Sequence, residues 1–91
     1  MTRPKVNRYL RFRPNIFYFK PQGVPLRTLS EVTLEKDELE ALKLHDIDEL
    51  EQTEAARKMK ISQSTFARTL DNAYKKIAQA IINGKAIRIN K

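Results

Sequence analysis

Residues 52–71, which read QTEAARKMKISQSTFARTLD, constrain the fold of this chain more than any other stretch. The order of small, apolar and polar side chains predicts a helix of about two turns ending near Met59, followed by a tight turn over Lys60 and Ile61. Ser62 is a good N-cap for a second helix, because its hydroxyl can accept a hydrogen bond from a backbone N–H one turn later. The pattern therefore predicts a short and a longer helix joined by a sharp bend.

The side chains around this bend indicate which surfaces of the two helices pack and which face water. Ala55 and Ala56 are small enough for closely crossing helices, and Ile61 and Phe66 can fill the angle between them. In a helix-turn-helix, this geometry presents the start of the second helix to base edges in the major groove of DNA. Four polar side chains occupy that start: Gln63, Ser64, Thr65 and Arg68.

Two further helical stretches are predicted around this unit. One helix should begin after Thr33, which can cap it, and end around Asp46, with Ile47 and Leu50 of the following link packed inward. The second helix of the bend should run for about 21 residues to the stop signal Asn83-Gly84. Its apolar positions recur at helical spacing and predict one buried stripe: Phe66, Leu70, Ala73, Ile77 and Ile81.

The two ends of the chain have strand-like patterns. Residues 1–30 contain all four prolines, which disfavour helix, and residues 8–12 alternate in polarity as a short strand does. Residues 85–90 alternate as well, and we expect them to pair with residues 8–12 in an antiparallel ribbon. The aromatic run at residues 16–19 is expected to fold back over the helices.

The predicted fold class is mainly α. It comprises a three-helix unit with a helix-turn-helix, an extended N-terminal arm and short N- and C-terminal β-strands. Three regions follow along the chain: a basic, proline-rich arm with a short strand at residues 1–30, the helix-turn-helix domain at 31–84, and a C-terminal strand or tail at 85–91.

Charge is segregated along the chain, whose net charge is +7. Residues 1–30 carry seven Lys and Arg and no acid, residues 31–54 carry ten acids against two bases, and residues 55–91 carry nine bases against one acid. Such segregation suits a polyanion bound on one face. Four lysines would add attraction to phosphates regardless of base sequence: Lys58, Lys60, Lys75 and Lys76.

Each polar residue of the bend has a plausible contact on duplex DNA. Gln63 can bridge an adenine and Arg68 can reach guanine or phosphate, while hydroxyls suit phosphate or close base contact. Thr53, with the free N–H groups at its helix start, can clamp a backbone phosphate, and a basic arm can enter the minor groove. The candidate DNA-binding residues are Thr53, Lys60, Ser62, Gln63, Ser64, Thr65 and Arg68 in the bend, with Arg3, Lys5 and Arg8 in the arm.

Several short segments of this chain have a characteristic combination of residues: PL at 25–26 with LSEV at 29–32, DELEALKL at 37–44, QTEAA at 52–56, MKISQSTF at 59–66 and GKA at 84–86. Together they resemble a small, uncharacterised prokaryotic family of predicted DNA-binding proteins. The helix-turn-helix of that family is similar to the one in region four of bacterial sigma factors, which touches the −35 promoter element. The resemblance implies a regulator whose recognition helix contains Ser62, Gln63, Thr65 and Arg68.

Two positions depart from the usual pattern of this motif. Lys60 occupies the turn where glycine is usual, and Glu49 lies near the place of the glycine that usually precedes the first helix of the motif. A non-glycine residue in a left-handed conformation costs about 1 kcal/mol.

Other classes of function have less support in the sequence. His45, beside Asp46 and Asp48, does not provide three or four convergent metal ligands, and the chain has no cysteine. No nucleophile–base pair or phosphate loop is visible, so we expect neither an enzyme nor a cofactor. Without a signal peptide or an apolar run long enough for a bilayer, a cytoplasmic location is expected.

The leading hypothesis is therefore a sequence-specific transcriptional regulator that binds double-stranded DNA, with a homodimer or higher oligomer and RNA polymerase as further partners to test. A protein-interaction module that docks the same helices on the transcription machinery is the first alternative. The second is an RNA-binding protein that stacks bases on aromatic side chains: Tyr9, Phe17, Tyr18 or Phe19.

Overall fold

The computed structural model describes residues 16–90, which fold into three helices and a three-stranded sheet. A single turn of 3₁₀ helix at Leu26–Thr28 lies between the first two strands, and a wide helical turn at Lys43–Ile47 continues the first helix. The mainly α prediction is confirmed. In chain order the elements are β1 (Ile16–Phe19), β2 (Glu31–Leu34), α1 (Lys36–Leu42), α2 (Gln52–Met59), α3 (Gln63–Asn83) and β3 (Ala86–Asn90).

Helix α1 begins later than its sequence suggests. The N-cap is Glu35, and the prediction of Thr33 as the cap is wrong, because Thr33 lies in strand β2. The Glu35 N–H donates to Glu38 Oε1 at 2.8 Å, so a side chain inside the first turn satisfies the backbone just before it. The β-branched Val32 and Thr33 fit a pleated strand better than a helix start.

The wide turn Lys43–Ile47 changes the direction of the chain between α1 and α2. Its backbone bonds span one residue more than those of an α-helix, as in the 2.8 Å bond from the Asp48 N–H to the Lys43 carbonyl. The extra residue rotates the side chains that follow. Ile47 is consequently 73% exposed, so its predicted burial is wrong, whereas Leu50 packs against the core as predicted.

The core between the helices is built around Phe66, which is fully buried. Its neighbours are small residues and leucines, which lets α1, α2 and α3 approach one another closely. The predicted burial of Ala55 and Ala56 and the predicted packing of Ile61 are confirmed. The buried members of this cluster are Ala41, Leu44, Ala55, Ala56, Phe66 and Leu70.

Helix α3 has the predicted length of 21 residues, but its buried stripe departs from the predicted one near the end. Ala73 is buried and Ile77 is half-buried, whereas Ile81 is 71% exposed and its predicted burial is wrong. Each step of four residues rotates the side chain by about 40° from its starting direction. Two such steps carry position 81 out of the stripe, and Ala80 takes its place at 3% exposure.

Strand β3 is the centre of the sheet, whose order is β1-β3-β2. It pairs antiparallel with β1, Phe19 opposite Ile87, and parallel with β2, Leu34 opposite Ile89. The predicted C-terminal strand is thus confirmed, while its expected partner, residues 8–12, lies outside the described residues. Residues 16–19 form β1 at the edge of this sheet, and neither β1 nor β2 was predicted as a strand.

A partly buried ion pair joins α3 to α1 and the sheet. Lys76 Nζ donates to Glu38 Oε1 at 2.8 Å and to the Thr33 carbonyl at 2.7 Å, and Glu38 is only 6% exposed. These bonds fix the middle of α3, and with it the direction in which the start of α3 points. Among the helices at residues 16–90, none is both long enough and apolar enough to cross a bilayer.

Candidate nucleic-acid interface

The turn between α2 and α3 is a Schellman-type helix end. Lys60 has left-handed backbone angles, φ 62° and ψ 41°, and its N–H donates to the Arg57 carbonyl at 3.1 Å. The Ile61 N–H donates to the Ala56 carbonyl, also at 3.1 Å, which completes the motif. The predicted end of α2 at Met59 and the bend after it are confirmed.

Both positions where the sequence lacks the usual glycine have a positive φ. Glu49, before α2, and Lys60, after it, each have φ 62°, and they are the two non-glycine residues with positive φ among those described. Both residues therefore adopt a backbone conformation that glycine adopts more readily. Each substitution costs about 1 kcal/mol relative to glycine.

Ser62 caps α3 as predicted. The Thr65 N–H donates to Ser62 Oγ at 3.1 Å, and the Ser62 hydroxyl donates to Thr65 Oγ1 at 2.9 Å. Ser64 Oγ lies 3.2 Å from Ser62 Oγ. The hydroxyls of Ser62 and the half-buried Thr65 therefore already hold the helix start together.

The outward side of the α3 start is polar and accessible. Gln63, Ser64 and Arg68 are exposed, whereas Phe66 on the opposite side is fully buried. Within residues 16–90, Gln63 and Arg68 side chains have no hydrogen bond or ion pair. Ala67 is exposed on the same side, and sequence reasoning gave it no role because an alanine carries no recognisable binding chemistry.

The basic residues near this surface differ in their availability. Lys58 and Lys60 are exposed and form no ion pair with any residue at 16–90. Lys75 Nζ lies 3.3 Å from an Asp71 carboxylate oxygen, which partly neutralises it. The expectation that Lys76 attracts phosphates is corrected by its contacts, because its ammonium is bound to Glu38 and Thr33.

The start of α2 is less favourable to an anion than its sequence suggested. Thr53 is exposed, but the N-cap is Glu51 and Glu54 lies in the first turn, so two carboxylates are close to the free N–H groups. Glu54 also pairs with Arg57. The arm residues Arg3, Lys5 and Arg8 lie outside the described residues.

Polar contacts away from this surface stabilise the helices. His45 Nδ1 lies 2.8 Å from the Leu50 carbonyl, to which it can only donate, and the imidazole ring packs against Phe66 in a T-shaped arrangement. Tyr74 donates to Asp46, at 2.7 Å from the nearer oxygen. The pKa of Tyr74 is raised to about 12, mainly by partial burial and to a smaller extent by this hydrogen bond. No cluster of three or more potential metal ligands occurs within residues 16–90.

Comparison with known proteins gives relatives over almost the whole chain. A UPF0251 protein of Caldanaerobacter subterraneus subsp. tengcongensis is 52% identical over 89 residues, which are 98% of this chain and 75% of the relative. A UPF0251 protein of Thermoanaerobacter pseudethanolicus is 49% identical with the same coverage. A third, from Moorella thermoacetica, is 49% identical over 98% of this chain and 60% of its own length. No solved structure matches.

The family model that matches is described as protein of unknown function DUF134, and the match covers residues 1–91. That extent agrees with the relatives, all of which align over nearly the same residues. The chain therefore belongs to the DUF134 family, whose curated relatives bear the name UPF0251.

Proposed function

We propose that this protein binds duplex DNA sequence-specifically, with the start of α3 in the major groove, and regulates transcription in the cytoplasm. One observation supports this most directly. The turn at Lys60 separates two packed helices, and the second begins with exposed Gln63 and Arg68 while Phe66 anchors its opposite side. A rigid helix start with unpaired donors is what base readout requires.

The charge around the α3 start supports the same proposal. Lys58, Lys60 and Arg68 are exposed cations without an ion pair among the described residues, so they are available to phosphates. Binding that uses them should release counterions and weaken steeply as salt rises. A homodimer on a two-fold site is the simplest way for a small module to gain specificity, and it belongs to this proposal.

A fluorescence titration tests the proposal directly. Labelled duplex DNA from a random-sequence selection and single-stranded RNA of matched length are each titrated at two salt concentrations. We expect preference for the selected duplex and weaker binding at the higher salt. The double variant Gln63→Ala, Arg68→Ala should bind that duplex at least about tenfold more weakly, since each good base contact contributes about 1–3 kcal/mol.

A matched control lies away from the α3 start. Lys36→Ala, Gln79→Ala removes one basic and one amide side chain at exposed positions, of which Gln79 lies three turns after Arg68, and should retain most of the affinity. Equal losses in the two double variants would argue against the recognition role of the α3 start. Preference for RNA would favour the RNA-binding alternative, and no nucleic-acid binding would favour protein docking.

The N-terminal arm needs a separate test. Deleting residues 1–8 removes Arg3, Lys5 and Arg8, which we propose enter the minor groove next to α3. Affinity for the selected duplex should then fall, and the effect should be largest for sites with an A-tract beside the major-groove contacts. An unchanged affinity would refute the role of the arm and leave the role of α3 standing.

A further inference from the structure

Ala67 is the apolar member of the exposed side chains at the start of α3. It lies one helical turn after Gln63 and immediately before Arg68, and all three are exposed. The burial of Phe66 and Leu70 fixes the rotation of the helix, so the Ala67 methyl group must point away from the core. It therefore belongs to the same outward side as the polar side chains.

Few other groups remain to contact a base on this side. The hydroxyls of Ser62 and Thr65 hold the helix cap. One turn beyond Ala67, Asp71 presents an exposed carboxylate that pairs with Lys75 and would repel phosphates. The part of α3 suited to DNA accordingly ends before Asp71, and the side chains that α3 itself offers to a base there are Gln63, Ser64, Ala67 and Arg68.

A methyl group neither donates nor accepts a hydrogen bond, so it can favour only an apolar group on a base edge. In the major groove that group is the 5-methyl of thymine. We propose that Ala67 is a thymine-contacting site, an inference that rests on the proposed DNA binding by α3. Because side chains four residues apart lie about 5–6 Å apart, the thymine should lie within about two base pairs of the base that Gln63 contacts.

The test replaces each thymine of the selected duplex, one at a time, by deoxyuridine, which removes only the 5-methyl group. One replacement should weaken binding of the unmodified protein about fourfold, as expected for one buried methyl group. In Ala67→Gly the same replacement should have no effect, because the protein methyl is already missing. Ala78→Gly, at an exposed alanine later on the same helix with a similar helix-propensity cost, should retain the fourfold effect.

The outcomes separate this inference from the proposal on which it rests. Absence of binding to any duplex would end the proposed function itself. Duplex binding that is insensitive to deoxyuridine at every position would overturn the role of Ala67 and leave DNA binding intact. A fourfold effect that persists in Ala67→Gly, with thermal unfolding confirming that the variant is folded, would assign the thymine to another residue.

Discussion

The two halves of α3 are built in opposite ways. In the first half, large side chains such as Phe66 and Leu70 face the core, and polar side chains such as Gln63 face outward. In the second half the buried side chains are the small Ala73 and Ala80. The outward side chains there include two isoleucines of 71% and 79% exposure, Ile81 and Ile82.

This difference follows from what each half packs against. The first half meets α1 and α2, and Phe66 fills the angle between helices. The second half lies against the sheet, where alanine permits close approach and leaves larger apolar side chains at the margin. A hollow of about 270 Å³ at that margin is lined by Phe19, Ile81 and Ile87 among others. The packing of the first half therefore depends on large buried side chains, and the packing of the second half depends on small side chains that let the helix approach the sheet closely.

The largest expected effect contrasts the two halves directly. Phe66→Ala should lower the free energy of unfolding by about 3–5 kcal/mol, because it removes a fully buried ring and leaves a cavity. Ile82→Ala should change it by less than about 0.5 kcal/mol, because that side chain is 79% exposed. Urea unfolding of both variants measures the contrast. Similar losses in both would mean that Ile82 is covered in solution.

The next effect concerns how the second half is held in place. Lys76→Met should lower the free energy of unfolding by about 1–3 kcal/mol, because the buried Glu38 carboxylate loses its ammonium partner. Lys75→Met is the matched control, since its exposed pair with Asp71 contributes no more than about 0.5 kcal/mol. Chemical denaturation of both variants checks this. Equal effects would show that alanine packing alone positions the end of α3.

The same contrast explains how much of the molecule can be predicted from sequence. The local sequence is sufficient to predict the Ser62 cap, the bend after Met59 and the end of α3 at Gly84. Strand β2 could not be predicted locally, because the pairing of Thr33 depends on β3, more than fifty residues later.

Side-chain exposure was predictable only where local geometry is regular. The wide turn that exposes Ile47 has no clear sequence signal, whereas the exposure of Ile81 follows from the regular rotation of side chains along α3. For the candidate site, sequence indicated the exposed Gln63, Ser64 and Arg68. It did not reveal the role of Lys76 in the fold, because a partner 38 residues away along the chain leaves no local pattern.

The residue with left-handed backbone angles is a lysine at the end of α2 and a glycine at the end of α3. Lys60 and Gly84 have nearly the same left-handed angles, φ 62° and 67°. Lys60→Gly should therefore raise the free energy of unfolding by up to about 1 kcal/mol, and Gly84→Ala should lower it by about 1 kcal/mol. An added Cβ at Gly84 would meet no atom within 4 Å, so the cost there is one of backbone conformation alone.

Lys60→Gly also separates stability from binding. The more stable variant should bind duplex DNA a few times more weakly and with a smaller salt dependence, because it lacks one cation beside the α3 start. Thermal unfolding and the duplex titration measure the two effects on the same sample. A gain in stability with unchanged affinity at both salt concentrations would show that Lys60 makes no contact with phosphate.

The smallest effect lies where the two halves of α3 meet. The hydrogen bond from Tyr74 to Asp46 ties this point to the wide turn, and the pKa of Tyr74 is raised from about 10 to about 12. Between about pH 10 and pH 12 the Tyr74 phenol therefore keeps its proton in the folded state but has lost it in the unfolded state. The stabilisation of the fold by this hydrogen bond is complete below about pH 10 and disappears as pH rises through about 12. Tyr74 is 40% exposed, and solvent screening keeps the effect modest.

The difference in melting temperature between the unmodified protein and Tyr74→Phe should shrink between about pH 10 and pH 12, because the variant has no phenol to titrate. A constant difference would mean that the hydrogen bond from Tyr74 to Asp46 contributes nothing to the stability of the fold.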